Sequence, residues 1–387
     1  MFTPRERVNR ALAHQNPDRM PVDFLATPEV WEALIAQLGS ELDDVEPSDY
    51  YDARWEALLR YLEVDCRVLS YDQFVSVPEK VLEKGKIEWW KSLSRSTPNR
   101  MWRQIIGDRT WRSVWGHEMQ VSEHSLGAYE EIADPPLQHA SSLEDLKQHP
   151  WPEPSWWDFS PLPDILAQLD RYTEFHIRFR IGSVFELAWQ LRGMEQFLQD
   201  MILQPEIPAY IMDRLTEVHV ENTRRVLKLA GDRLDMLYVY DDVAAQNNLL
   251  MSKKMWAEQI RPRHEKIFEV AGEYDKPMMY HTDGAAAALI PELIRMGVTV
   301  LNPIQADAPG MEPQELKDEF GDRLSFHGGI DIIKTLPKGS SEDVRAEVLA
   351  RKRVLGQQGG YILASSHHIQ AGTPIENILA MYDLALR

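Results

Sequence analysis

LDMLYVY, residues 234–240, is an apolar run with strand character, and KPMMY, residues 276–280, is another. Between them, residues 252–272 carry apolar side chains at helical spacing. Strand, helix and strand in that order make a βαβ unit, and the same alternation runs outward from it in both directions. Upstream lie MPVDFL (20–25), VDCRVL (64–69) and FHIRFRI (175–181); downstream lie VTVLN (298–302), RLSFH (323–327) and GYILA (360–364). Helical period at 190–203 and 208–230 fills two further gaps. Eight strands alternating with helices predict an α/β fold, a (β/α)8 TIM-like barrel built as one domain over residues 1–387. An open doubly wound sheet is the alternative. A T-x-x-E capping box, Thr3 to Glu6 with Pro4 in the first turn, predicts a helix at the N-terminus.

One connection breaks the rhythm. Roughly a hundred residues separate the second and third strands, far beyond an ordinary loop. This insertion, residues 72–165, holds Trp89, Trp90, Trp102, Trp111, Trp115, Trp151, Trp156 and Trp157, eight of the chain's 12 tryptophans. Residues 102–120 read as a hairpin turning at Gly107 and Asp108, and 149–163 as a proline-punctuated loop. An aromatic subdomain packed on the barrel and a lid over its mouth are the two readings of the insertion.

Composition narrows the function classes. The 387 residues, 44% of them hydrophobic, suffice for a large core. With 61 acidic and 42 basic residues the formal net charge is −19, a surface that repels nucleic acid and anionic membrane. The first twelve residues carry three arginines and no apolar core, so they do not read as a signal peptide. No run of about 18 apolar residues suggests a membrane span. The single cysteine, Cys66, leaves no intramolecular disulfide and no multi-cysteine metal site. A cytoplasmic protein is expected.

In a barrel of this kind, residues just past the strand ends build the active site. Here those positions hold Glu186, Asp241, Asp242, His281, Asp283, Asn302, Gln305, His327, Asp331, Ser365, Ser366, His367 and His368. Singly, each reads as a helix cap or a hydrogen-bonded wall residue. Together they bring imidazole and carboxylate from five strands to one rim. His281 and Asp283 are two apart in extended backbone and therefore point the same way. They can share a Zn²⁺-like ion if a distant strand supplies a third ligand, for which His367 is the best candidate, with Asp242 or Glu186 for a further place. Equally, the carboxylate can orient the imidazole as a general base without metal. Gly284 permits a tight exit from the strand. The paired glycines of FHGGID (326–331) read as ligand approach or as a plain turn, and no G-x-G-x-x-G, P-loop, G-x-S-x-G or H-E-x-x-H motif is present.

Several segments taken together resemble the uroporphyrinogen decarboxylase superfamily, which includes methyltransferases that move methyl groups between corrinoid proteins and thiols. They are RERVNRALAHQNPDRMPV (5–22), GSVFELAWQLRGMEQFLQDM (182–201), YDDVAAQNNLLMS (240–252), HTDGAAAALIPELIRMGVTVLNPIQ (281–305), FGDRLSFHGGID (320–331) and GGYILASSHHIQAGTPIENILAMY (359–382). The resemblance implies a distorted (β/α)8 barrel with its cleft at the C-terminal strand ends, and a homodimer. It also implies a small-molecule substrate and, on the methyltransferase branch, zinc and a corrinoid partner protein. The methyltransferases carry H-x-C and a later cysteine as zinc ligands; this chain has His281-Thr282-Asp283, and His367 stands where the later cysteine would be replaced. The decarboxylases carry R-Q-A-G-R after the first strand; here VDFLATPEVWEAL (22–34) has no arginine.

The expected function is thus a metal-assisted methyltransferase or demethylase using Asp242, His281, Asp283 and His367, with His281, Asp283 and His367 on the metal. Glu186, Asn302, Gln305, His327 and Asp331 are expected against substrate. A metal-free decarboxylase and a non-catalytic small-molecule binder are the alternatives. Asp23 and Glu29 at the first strand's exit, with Asp242, Asp283 and Asp331, predict a rim too acidic for uroporphyrinogen, although Arg178 and Arg180 in the third strand oppose that argument.

Overall fold

The computed structural model describes residues 2–46, 51–77, 86–91, 100–124 and 127–385. Its strands, in chain order, are β1 (Cys66–Ser70), β2 (Lys86–Lys91), β3 (Arg100–Ile105), β4 (Thr110–Arg112), β5 (Glu118–His124) and β6 (Gly127–Asp134), followed by β7 (His176–Gly182), β8 (Met236–Tyr240), β9 (Met278–His281), β10 (Val298–Asn302), β11 (Ser325–His327) and β12 (Tyr361–Ile362). Seven of them form a curled parallel sheet in the order β1-β7-β8-β9-β10-β11-β12. Each strand pairs with the next of its set in sequence, with helices such as Glu206–Ala230 and Arg261–Glu273 in the crossovers. A doubly wound sheet would reverse its order at a switch point, and this one never does. The architecture is therefore of the TIM-barrel type. Its strands are apolar runs because helices cover one face and the barrel interior fills the other; every residue of β1 is buried.

The first expected strand, residues 20–25, forms only isolated bridges. Val22 pairs in parallel with Leu363, and Ala26 with Ile369. Two local features account for this. Pro21 has no N–H to give a ladder, and the Val22 N–H is taken by the Asp65 carboxylate at 2.9 Å instead of by backbone. The segment still spans the gap in the sheet, since the Asp65 N–H donates to Val22 O and the Asp23 N–H to Leu363 O. At the N-terminus the expected capping box is present: Thr3 accepts from the Glu6 N–H, and Glu6 accepts from the Thr3 N–H at 2.8 Å.

Between β1 and β7 the chain builds a second sheet, antiparallel, in the order β2-β3-β4-β5-β6. Ile106 and Gly107 both donate to Thr110 O where β3 turns into β4, at the expected hairpin. Trp102, Trp111, Trp115, Trp151, Trp156 and Trp157 are buried. Trp115 lies 5.8 Å from Trp157 between ring centroids and donates its Nε1–H to the Tyr71 hydroxyl. The side chains of Trp89 and Trp90 fall outside the described part of the molecule.

Candidate metal centre

The C-terminal ends of β8 and β9 and the chain after β12 bring four side chains together. His281 ends β9, and Gly284 turns the chain sharply behind it with φ at 81°. A Cβ there would lie 2.3 Å from Ala245 O, so only glycine lets the two loops meet. His281 Nε2 stands 3.8 Å from Asp242 Oδ1 and 3.9 Å from Asp283 Oδ1, and His367 Nε2 stands 3.8 Å from Asp283 Oδ2. One ligand atom from each of His281, Asp283 and His367 lies within 4.8 Å of the other two. Donors on bonds of ~2.0–2.2 Å at tetrahedral angles stand about 3.3–3.6 Å apart, so small side-chain shifts close this set on a zinc-sized ion. Two imidazoles and a carboxylate, with room for a further ligand, suit such an ion chemically.

Two cavities meet at this point. One, of about 590 Å³, is lined by Asp283, Gln305, Asp331, Glu347, Arg351 and Ser366 among others. The second, of about 300 Å³, is lined by Arg180, Glu186, Tyr238, Tyr240, Asp242 and His281 among others. His367 borders both. From the second sheet, β6 reaches the smaller cavity through Ala128, Tyr129 and Glu130; no tryptophan lines either cavity among the described residues.

The electrostatics favour positive charge. Burial alone would lower the His281 pKa, but Asp283, Asp242 and the Asn302 oxygen outweigh it and hold the ring above its ordinary value. Burial raises the Asp242 carboxyl, and the neighbouring Asp283 charge adds to the rise. Arg180 is already matched, donating to Asp72 at 2.7 Å.

The other strand-end residues divide. Gln305 accepts from the Gly284 N–H at 2.9 Å and donates to Gln246, shaping the loop beside Asp283. Asp331 accepts from the Ile333 and Lys334 N–H groups while bordering the larger cavity. Glu186 accepts from Gln190 and borders the smaller one. Asp241, next to Asp242, is fully buried and structural: it accepts from the Val184, Phe185 and Glu186 N–H groups and from His264 Nε2. Asn302 and His327 do not line the two cavities as substrate contacts would. Both are buried behind His281, whose Nδ1 lies 2.6 Å from Asn302 Oδ1; Asn302 Nδ2 lies 2.6 Å from His327 Nδ1.

Asp23 is likewise off the rim. It is buried against Arg178, and His327 Nε2 lies 2.8 Å from its Oδ2. Burial alone would raise the Asp23 carboxyl, but Arg178 and the His327 hydrogen bond hold it well below the usual range. The acidity of the rim therefore owes nothing to Asp23, and neither strand arginine is without a carboxylate of its own. A charged residue inside each of two apolar runs, Asp23 in MPVDFL and Arg178 in FHIRFRI, was the sequence signal for this buried pair.

A sequence profile of the uroporphyrinogen decarboxylase (URO-D) family matches residues 129–387. Among solved structures, a methyltransferase from Methanosarcina mazei aligns over 100% of this chain and 98% of its own, with a TM-score of 0.63 at 17% identity, a likeness of fold. An endo-1,4-beta-xylanase from Penicillium canescens aligns over 60% of this chain and 81% of its own, with a TM-score of 0.37 at 15% identity. No curated protein matches the chain by sequence.

Proposed function

The chain belongs to the uroporphyrinogen decarboxylase family, and on that premise we propose that it is a metal-assisted methyltransferase or demethylase acting on a small molecule. His281, Asp283 and His367 would hold a Zn²⁺-like ion. The observation that carries this reading is the convergence of those three donors where two cavities meet, with Asp242 3.8 Å from His281. When bound, the ion would act as a Lewis acid and lower the pKa of a thiol or hydroxyl placed on it.

The protein's own groups have separable tasks. The Asp283 N–H donates to Asp242 at 2.8 Å, which fixes the loop that presents the Asp283 carboxylate. Gln305 fixes the same loop from the other side through the Gly284 N–H. Asp242, its carboxyl raised by burial and by Asp283, is suited to take up and return a proton beside the reacting atom. The two cavities give separate approaches to one centre, as transfer between a methyl donor and an acceptor requires; a corrinoid-bearing partner protein would supply one of the two.

Metal analysis of protein purified without a polyhistidine tag tests the reading. About one zinc per chain is the expected result. A chain that takes up no divalent ion at neutral pH, even when one is supplied, would fall to the metal-free decarboxylase alternative, in which Asp242 and His281 handle the proton alone. For uroporphyrinogen itself that alternative is poorly equipped. A polycarboxylate needs unmatched cations in its cleft, whereas Arg178 is committed to Asp23 and Arg180 to Asp72.

A further inference from the structure

We propose that Asp23 is a positioning residue for the candidate metal centre, acting through His327 and Asn302 to keep His281 in the tautomer whose Nε2 lone pair faces the cavity. Its consequence for metal binding rests on the reading above. The relay itself is drawn from side chains that lie behind the site.

The contacts run in one line from Asp23 to the site: Asp23 Oδ2 to His327 Nε2 at 2.8 Å, His327 Nδ1 to Asn302 Nδ2 at 2.6 Å, and Asn302 Oδ1 to His281 Nδ1 at 2.6 Å. Asp23 is 3% exposed, Asn302 2% and His327 0%, so water does not substitute for any member. An ionised carboxylate only accepts, so His327 must donate from Nε2. Its Nδ1 is then an acceptor, and Asn302 must turn its NH₂ toward it. The amide oxygen is left facing His281, which donates from Nδ1. Each bond fixes the sense of the next, and the line ends on an imidazole with Nε2 unprotonated and directed toward Asp242 and Asp283. That is the tautomer a metal ligand needs.

A rival sense is built into the same place. Arg178 Nη1 lies 3.0 Å from His327 Nε2. If that guanidinium donated to the ring, every bond in the line would reverse and His281 would show an N–H to the cavity. Two observations favour control by Asp23. Reversal would set the Asp23 carboxylate against a ring lone pair at 2.8 Å in a buried place, whereas the Nη1 group of Arg178 has a second contact, Met279 Sδ at 3.6 Å. The Asn302 amide also lies with its oxygen on His281 and its nitrogen on His327, the sense that Asp23 imposes.

Long-range ¹⁵N–¹H NMR of the histidine side chains, recorded on the full metal-free chain at a pH high enough that the His281 ring is neutral, reads the tautomers directly. The expected result is His281 protonated at Nδ1 and His327 at Nε2, with signals assigned by their loss in His281→Gln and His327→Gln. Asp23→Asn, whose amide accepts from Arg178 and donates to His327, should move His281 toward the Nε2–H form. Asn302→Leu should leave His281 a mixture. Either change should weaken zinc binding by roughly 10- to 100-fold. Wild-type His281 carrying its hydrogen on Nε2, or His327 on Nδ1, would overturn the proposal without any variant. An unchanged His281 tautomer in folded Asp23→Asn would overturn it as well. If the tautomers behave as stated but wild-type protein binds no zinc, the metal reading fails and the relay stands.

Discussion

Two sets of polar side chains stand at the strand ends, joined by the hydrogen bond between His281 and Asn302, and they follow opposite rules. In the buried set each charge has its counterpart: Arg178 meets Asp23, and Asp241 takes three backbone N–H groups and His264. In the open set, Asp242, Asp283, His281 and His367 face one another at 3.8–3.9 Å, too far for hydrogen bonds and with two carboxylates side by side. Matched charges cost stability when one partner is removed. Imidazoles and carboxylates gathered at this spacing around open space are suited to a cation. Asp241 and Asp242, adjacent in sequence, fall on either side of this divide.

The largest expected effect separates those two aspartates. Asp241→Ala strips the acceptor from the start of the helix Phe185–Arg192 and from buried His264, and should cost about 3–5 kcal/mol in urea unfolding. Asp242→Ala should cost less than about 1 kcal/mol. Equal losses would show that the distinction between the sets is not one of stability.

Next in size is the metal. His281→Ala should weaken zinc binding by at least about 100-fold while leaving the fold intact, because it removes a donor from the open set and no ion pair from the buried one. Asp283→Cys should keep the ion, held roughly tenfold more tightly, since thiolate is the softer donor. Zinc affinity that is indifferent to both changes would remove the open set from any role with metal. Titration with Co²⁺, followed by its visible spectrum, distinguishes the Asp283→Cys site by its thiolate charge-transfer band.

Much of the barrel was legible in the sequence because its strands are short apolar runs separated by helical period, and that pattern needs no knowledge of partners. The segment 20–25 shows where the pattern stops informing: its composition is that of a strand, but Pro21 has no N–H and the side chain of Asp65 takes that of Val22, so two donors are lost to the ladder. The site was legible in outline, since His281 and Asp283 share a side by spacing alone. Its division into open and buried sets was not. Asn302 and His327 end their strands as His281 does, and only the path of Asp23, some three hundred residues from His327, decides that they lie behind the site. Tertiary pairs at that separation leave no periodic trace.

The smallest expected effect concerns pH, and it compares the open set with and without its ion. His281 holds its proton more tightly in the folded chain than in the unfolded one, where its pKa is about 6.5. In metal-free protein it therefore contributes stability that is complete below 6.5 and fades as the pH rises through its higher folded value. Zinc needs the neutral ring, so zinc-dependent stabilisation must grow over that same interval. The gap in stability between the zinc-loaded and metal-free forms should therefore widen as the pH rises above 6.5. The buried histidines drop out of this difference. His117, His176 and His219 are pushed down to about 4 by burial, and the rise in stability with pH that they give around 6.5 is the same in both forms. Urea midpoints measured across the interval for both forms, beside His281→Gln, in which the gap should no longer widen with pH, make the comparison. Parallel curves with and without zinc would mean that His281 does not exchange its proton for the ion, and the open set would lose its principal ligand.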